Sequence, residues 1–161
     1  MSDRVVTHPR KMEENWRIAI CALMNMFLAA HRTLAEPLPI GPTEMLIYVT
    51  IAVANVQKLM RERTIPPAFA GKEVLPREWV VPISRNAIAT ASGLPRETVR
   101  RQVGRMIEMG MLIDDPRGGV TLPVGSVNDP RYTPLLEAML TEFTRTAEVL
   151  LRIGVIEIQT S

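Results

Sequence analysis

The segment that most narrows what this chain can fold into is residues 83–122, ISRNAIATASGLPRETVRRQVGRMIEMGMLIDDPRGGVTL. Ile83, Ile88 and Ala91 give it a first apolar stripe at helical spacing, and Ser92-Gly93-Leu94 then interrupts the period with a turn. Val99, Val103 and Met106 form the inward stripe of a second helix, which Gly110 stops in the manner of a left-handed cap residue. Residues 112–114 and 120–122 read as two short strands joined by the tip Asp115-Pro116-Arg117-Gly118-Gly119. The order is helix, tight turn, helix, hairpin. Each piece is consistent with the next, and agreement between local pattern and larger plan is the mark of a folding unit.

The face opposite the second stripe follows from geometry. At about 100° per residue, Glu97, Arg101, Gly104 and Glu108 point away from it, with Arg100 and Arg105 on the flanks. The whole chain has 19 Lys and Arg against 17 Asp and Glu, a net charge of +2, so its bulk charge carries no function. The basic charge is local: between Ser84 and Arg105, Arg85, Arg96, Arg100, Arg101 and Arg105 face one acid, Glu97. Arginine pairs bidentately with guanine O6 and N7, glutamate accepts from cytosine N4, and Thr98 or Arg105 can hold phosphates. The expected fold is therefore mainly α with a small β-hairpin, a winged helix-turn-helix flanked by long N- and C-terminal helices. The expected activity is duplex DNA binding, with the helix over 95–109 in the major groove and the wing over 111–122 on flanking DNA. The expected contacts are Arg96, Glu97 and Arg101 to bases, and Thr98, Arg100, Arg105 and Arg85 beside them, with Arg117 at the wing tip. Two plainer readings stand beside this one. Glu97 and Arg101 are spaced i,i+4 and could form a surface ion pair, and a winged helix can serve as a protein–protein module without DNA. The outward arginine set favours DNA.

Within this segment, PRETVRR at 95–101 resembles the recognition-helix signature of the cyclic-AMP receptor (Crp/Fnr) class of bacterial transcriptional regulators. The resemblance implies that Arg96, Glu97 and Arg101 touch base edges and that Thr98 lies toward the backbone. The chain departs from the signature at Arg100, where a small residue is common. The likeness spans residues 79–122, and nothing upstream resembles the β-rich cyclic-nucleotide domain of that class, so it implies no cyclic nucleotide. The helical layout around the motif is similar to that of the multiple-antibiotic-resistance-repressor (MarR) class, which implies a homodimer built by the terminal helices.

Outside the motif, residues 1–10 show no period and read as an arm or an extended lead-in. Trp16, Ile20, Leu23, Phe27, Ala30 and Leu34 repeat at 4,3,4,3,4 spacing, which predicts one long helix over residues 11–36 with this stripe on one face. Ile18, Ala19, Met24, Met26 and Leu28 make its middle apolar nearly all round, as in a helix covered on more than one side, one of them by a second subunit. A second helix is expected from Thr43, through Leu46, Val49, Val53, Val56 and Met60, although IYVTIAV also suits a buried strand. Residues 64–82 hold four of the thirteen prolines and read as a linker with an extended end at residues 79–81. Thr133-Pro134 opens a last helix carrying Leu136, Leu140, Phe143, Ala147 and Leu150 and closing before Gly154, and the tail after it has no assigned role. The expected division is 1–63 as a helical, dimerising region, 64–128 as the DNA-reading unit and 129–161 as the C-terminal helix, packed as one domain.

Other chemistry finds little footing. One cysteine, Cys21, makes no internal disulfide and reads as a buried small hydrophobe in a reduced, cytoplasmic protein. His8 and His31 are too far apart to build a metal site with it, and no nucleophile, general base or phosphate-cradling loop lies at motif spacing, so no enzyme, metal or cofactor is expected. The apolar run over residues 18–30 falls short of the roughly 20 residues of a membrane span and reads as a covered helix. The ten methionines and Trp16 read as core, with a hydrophobic effector pocket between helices as the alternative.

Overall fold

Prolines and glycines mark most of the element boundaries in the computed structural model, which describes residues 3–71 and 73–160. The elements are β1 (Arg4–Thr7), α1 (Pro9–Glu14), α2 (Trp16–Ala35), α3 (Pro42–Asn55), α4 (Gln57–Arg61), α5 (Pro67–Ala70), a 3-10 turn at Arg77–Trp79, α6 (Arg85–Ser92) and α7 (Arg96–Glu108). They continue with β2 (Ile113–Asp114), β3 (Val120–Thr121), α8 (Thr133–Arg152) and β4 (Ile156–Gln159). The protein is mainly helical with small antiparallel β pairs, the expected fold class. It divides into two compact units, residues 38–130 and residues 1–37 with 131–161. The division differs from the expected one at 63/64 and 128/129, because α3 packs with the helix-turn-helix segment.

The unit over 38–130 is built on α3, α6 and α7. Ile47 and Ile51 of α3, Ile88 of α6, Val99, Val103 and Met106 of α7 and Val120 of β3 are fully buried. Burial of each large aliphatic side chain contributes roughly 1.5–3 kcal/mol, which makes this cluster the source of the unit's stability. Of the first stripe in the sequence, Ile88 is buried, Ile83 half-buried and Ala91 exposed; Ala89, outside that stripe, is buried instead. Gly41 and Pro42 open α3: the Gly41 N–H donates to Glu44 Oε2 at 2.7 Å, the return half of a capping box. The helix ends at Asn55 rather than running to Met60, and Asn55 turns into a buried clamp. Its Nδ2 donates to Val81 O at 2.8 Å and its Oδ1 accepts from Leu122 N–H at 2.9 Å. The residues expected as a linker thus contain two short helical pieces and are tied to the end of α3.

Ile83 joins the β2–β3 pair through two backbone hydrogen bonds with Val120, at 3.1 and 2.8 Å, so the hairpin is anchored to the segment that leads into α6. Gly119 makes that approach possible. Its φ is +91°, and a Cβ there would lie 2.7 Å from Ile83 O.

In the unit over 1–37 and 131–161, α2 packs against α8. Ala19 near the start of α2 meets Leu150 near the end of α8, together with Val155, so the helices run antiparallel. The lead-in and the tail find each other: β1 and β4 pair antiparallel from Arg4 with Gln159 to Thr7 with Ile156. The single helix expected over residues 11–36 is broken at Asn15, whose backbone leaves the helical region at φ −117° and ψ 21°. Its Nδ2 reaches Ile153 O at 3.4 Å and Lys11 O at 3.1 Å, which ties the break to the end of α8. Three further expectations are corrected. Trp16, Leu23 and Phe27 of the α2 stripe, and Leu136, Leu140 and Phe143 of the α8 stripe, are exposed, because the small residues Ala19 and Ala29 bring α2 against α8 instead. Cys21 is exposed on the outer side of α2. The apolar run counted as too short lies in a 20-residue helix of mean hydropathy 1.5, long and apolar enough to cross a membrane by length and composition.

Candidate nucleic-acid interface

Local chemistry sets the angle at which α7 is presented. The Ser84 hydroxyl caps α6 by accepting from Ala87 N–H at 3.1 Å, and Gly93, at φ +71°, turns the chain out of α6. Pro95 precedes α7 and Gly110, at φ +72°, follows it. Between them Val99, Val103 and Met106 hold the helix to the core, as the sequence stripe requires. The other side of α7 carries Arg96, Glu97, Arg100, Arg101, Arg105 and Glu108, all exposed, with Thr98 and Gly104 half-buried.

The structure brings five of the eight expected DNA-binding residues, Arg96, Glu97, Thr98, Arg100 and Arg101, onto the first turns of α7. Glu97 pairs with Arg100, one residue short of the expected i,i+4 partner: Arg100 Nε donates to Oε2 at 2.9 Å and Nη2 to Oε1 at 2.6 Å. This bidentate hydrogen bond holds the Glu97 carboxyl below its usual range and raises the Arg100 guanidinium above its own. Arg96 and Arg101 make no hydrogen bond or ion pair with any described residue.

The remaining three arginines are held elsewhere. Arg105 points back toward α3, its Nη1 3.0 Å from Glu44 Oε1, in an approach without the alignment of a hydrogen bond. Arg85 on α6 donates to Asp114 Oδ1 at 2.8 Å. Arg117, at the wing tip, folds onto its own hairpin: Nε and Nη2 hold Asp115 at 2.9 and 2.8 Å, and Nη1 donates to Arg77 O at 2.9 Å. These bonds, led by the Arg117 side chain, hold the Asp115 carboxyl far below its usual range. Sequence reasoning missed Glu44, Arg77, Asp114 and Asp115. The two aspartates were visible as a pair at the hairpin tip, but their arginine partners lie two to thirty-eight residues away.

Beneath the wing lies a cavity of about 520 Å³, lined by Asn55, Leu75, Arg77, Ile113, Asp115 and Leu122 among others. It is not among the Met-rich helices, where the sequence suggested an effector pocket; a second cavity, of about 690 Å³, does lie between α2 and α8, but it is lined by residues such as Ala29, Arg32, Glu36, Ala138 and Glu142 and by no methionine. Among the described residues no group of three or more His, Cys, Asp or Glu side chains is placed to hold a metal ion.

No known protein family, curated protein or solved structure matches the chain. What this surface does must therefore be argued from its own residues.

Proposed function

We propose that the protein is a sequence-specific DNA-binding transcriptional regulator that inserts α7 into the major groove and lays the β2–β3 wing on flanking backbone. The observation that carries this reading is the pair of exposed arginines Arg96 and Arg101, engaged in no hydrogen bond or ion pair with any described residue, on the solvent face of a helix whose other face is fully buried. Arg96 sits in the first turn of α7, where the helix dipole already presents positive charge. A cation there opposes helix stability by a few tenths of a kcal/mol, and the arrangement instead concentrates positive potential where a phosphate or a guanine edge would be met. Glu97, held beside Arg100, is the acceptor available for a cytosine amine. In this reading the functional form is a homodimer that reads two half-sites related by a two-fold axis.

The test is affinity for a pool of genomic duplex fragments over a salt series, compared with the Arg96→Ala/Arg101→Ala variant. Enrichment of one palindromic family, lost in the variant, supports the proposal. Removing the two arginines is expected to lower the salt slope by about 2, roughly one unit for each phosphate no longer neutralised, or to relax base preference if they touch bases. Binding that is weak, unselective and unchanged in the variant overturns it in favour of a protein-interaction module.

A further inference from the structure

The unit formed by residues 1–37 and 131–161 carries more apolar surface than it covers. On α2, Trp16 is 61% exposed and Phe27 69%; on α8, Leu136 is 64% exposed and Phe143 58%, with Leu23 and Leu140 also open. These six side chains are not scattered. Taking the buried Ala19 and Ala29 as the inward line of α2, and Thr146 and Leu150 as that of α8, helical rotation places each exposed stripe between about 60° and 100° from its inward line, in the same rotational sense. For two antiparallel helices, equal displacement in the same sense puts both stripes on the same side of the pair. The result is one continuous apolar face across α2 and α8. The charged residues of α8, Glu137, Glu142, Arg145, Glu148 and Arg152, point to other sides of the helix.

We infer that this face is covered by a second copy of the chain, α2 and α8 of each copy closing a four-helix bundle about a two-fold axis. The inference names the surface for the homodimer of the preceding proposal and rests on that part of it, and its support does not involve DNA. Three features favour a second copy. The six side chains leave on the order of 700 Å² uncovered, taking about 200 Å² for each large side chain, close to the roughly 800 Å² per partner of a standard stable interface. Their 4,3 spacing is that of helices packing at a shallow angle in bundles. The face is also self-complementary in kind, with two phenylalanines and three leucines beside one tryptophan, as a two-fold interface requires of one surface meeting itself. A lipid bilayer is the competing occupant, since α2 is long and apolar enough to span one. It is disfavoured because α8 is charged on its other sides, so that inserting α2 would strip it from α8 and leave Leu150, Val155 and Ile153 without Ala19.

The experiment is the mass of the full chain by sedimentation equilibrium, without DNA, from about 1 to 100 μM. The expected mass is twice 18.0 kDa, halving in Phe27→Glu/Phe143→Glu and unchanged in Val124→Glu, an exposed apolar position outside the face. Because a variant can fail to fold, the wild-type melting temperature is followed over the same range and is expected to rise with concentration, as for any fold stabilised by association. A monomer with a concentration-independent melting temperature overturns the inference, and so does a dimer that survives both glutamates with its helicity intact. Co-sedimentation of a monomeric wild type with phosphatidylcholine–phosphatidylglycerol vesicles, lost in the double variant, overturns it in favour of the membrane. Loss of DNA selectivity in a chain that remains dimeric strikes the DNA-reading proposal alone.

Discussion

Arg105 was expected to hold a phosphate, yet the structure gives it a structural partner, and the difference is measurable. Its guanidinium lies 3.0 Å from Glu44 Oε1, and the Glu44 side chain is only 8% exposed while that of Arg105 is 61% exposed. The other Glu44 oxygen accepts from Gly41 N–H. Truncating Arg105 to alanine therefore leaves a carboxylate inside the unit with one hydrogen bond and no counter-charge. A fully buried pair broken in this way costs about 3–5 kcal/mol, and an exposed one about 0–1. With one partner buried and the other solvated, Arg105→Ala is expected to cost about 1.5–2 kcal/mol. Glu44→Gln keeps an acceptor for Gly41 and removes the charge, so Arg105→Ala in that background should cost no more than about 0.5 kcal/mol. Urea unfolding followed by circular dichroism, run on the four proteins of this double-mutant cycle, measures the coupling at about 1–1.5 kcal/mol. A coupling below about 0.3 kcal/mol refutes the reasoning. So does an Arg105→Ala variant of unchanged stability that binds DNA more weakly, which would return the residue to the phosphate backbone.

Other consequences follow from the same unit. Gly119→Ala forces a Cβ to within 2.7 Å of Ile83 O at a positive φ and should separate the wing from residue 83, costing more than about 3 kcal/mol, whereas Gly93→Ala, at φ +71° with open space around it, should cost about 1–2 kcal/mol in the same unfolding assay. Ile88→Ala, in a fully buried site, should lose about 2–5 kcal/mol with no change in the mass of the protein. Because Arg117 holds the native Asp115 carboxyl below its ordinary range, the stabilisation it supplies is complete above the unfolded value of about 3.9 and disappears as pH falls toward the lower native value. The stability advantage of the wild type over Asp115→Asn should therefore shrink as pH is lowered from about 5 toward 2, and an advantage independent of pH would contradict the assigned bond.

The parts of the fold legible in the sequence were those specified locally. Val99, Val103 and Met106 stand out because the rest of α7 is strongly polar, so periodicity and burial agree. Gly93, Gly110 and Gly154 all take the positive φ that their positions after a helix imply. Periodicity misled where a helix is apolar on most sides. In α2 the large residues are the regular ones, but the close approach to α8 is made by Ala19 and Ala29, and spacing alone does not say which of two apolar faces meets the neighbour. The sequence misled again at Asn15, because the stripe begins only at Trp16 and nothing in residues 11–15 separates them from the helix that follows the backbone break. β1 and β4 were illegible for a different reason: four-residue strands about 150 residues apart specify each other only once α2 and α8 have brought them together. In the candidate site, the positions of the arginines were readable and their partners were not, because Glu44, Asp114 and Asp115 reach them through tertiary folding.

Those carboxylate partners bear on how such a surface would discriminate. Of the six arginines read from the sequence as DNA-binding, Arg85, Arg100, Arg105 and Arg117 each carry an intramolecular carboxylate, and among the described residues Arg96 and Arg101 do not. A phosphate that takes a guanidinium from its carboxylate gains one charge-assisted bond and breaks another, so the exchange returns little net energy. It also leaves an acid facing a polyanion. Non-specific attraction to DNA, which depends on counting cations against phosphates, would therefore be weaker than the arginine count suggests. The balance changes only where base edges satisfy both members of a pair, as when a guanine takes Arg100 and a neighbouring cytosine amine takes Glu97. If the surface binds DNA as proposed, the carboxylates would raise the ratio of specific to non-specific binding by suppressing the second, and Asp114→Asn should tighten binding to random duplex while leaving a selected site less distinguished from it.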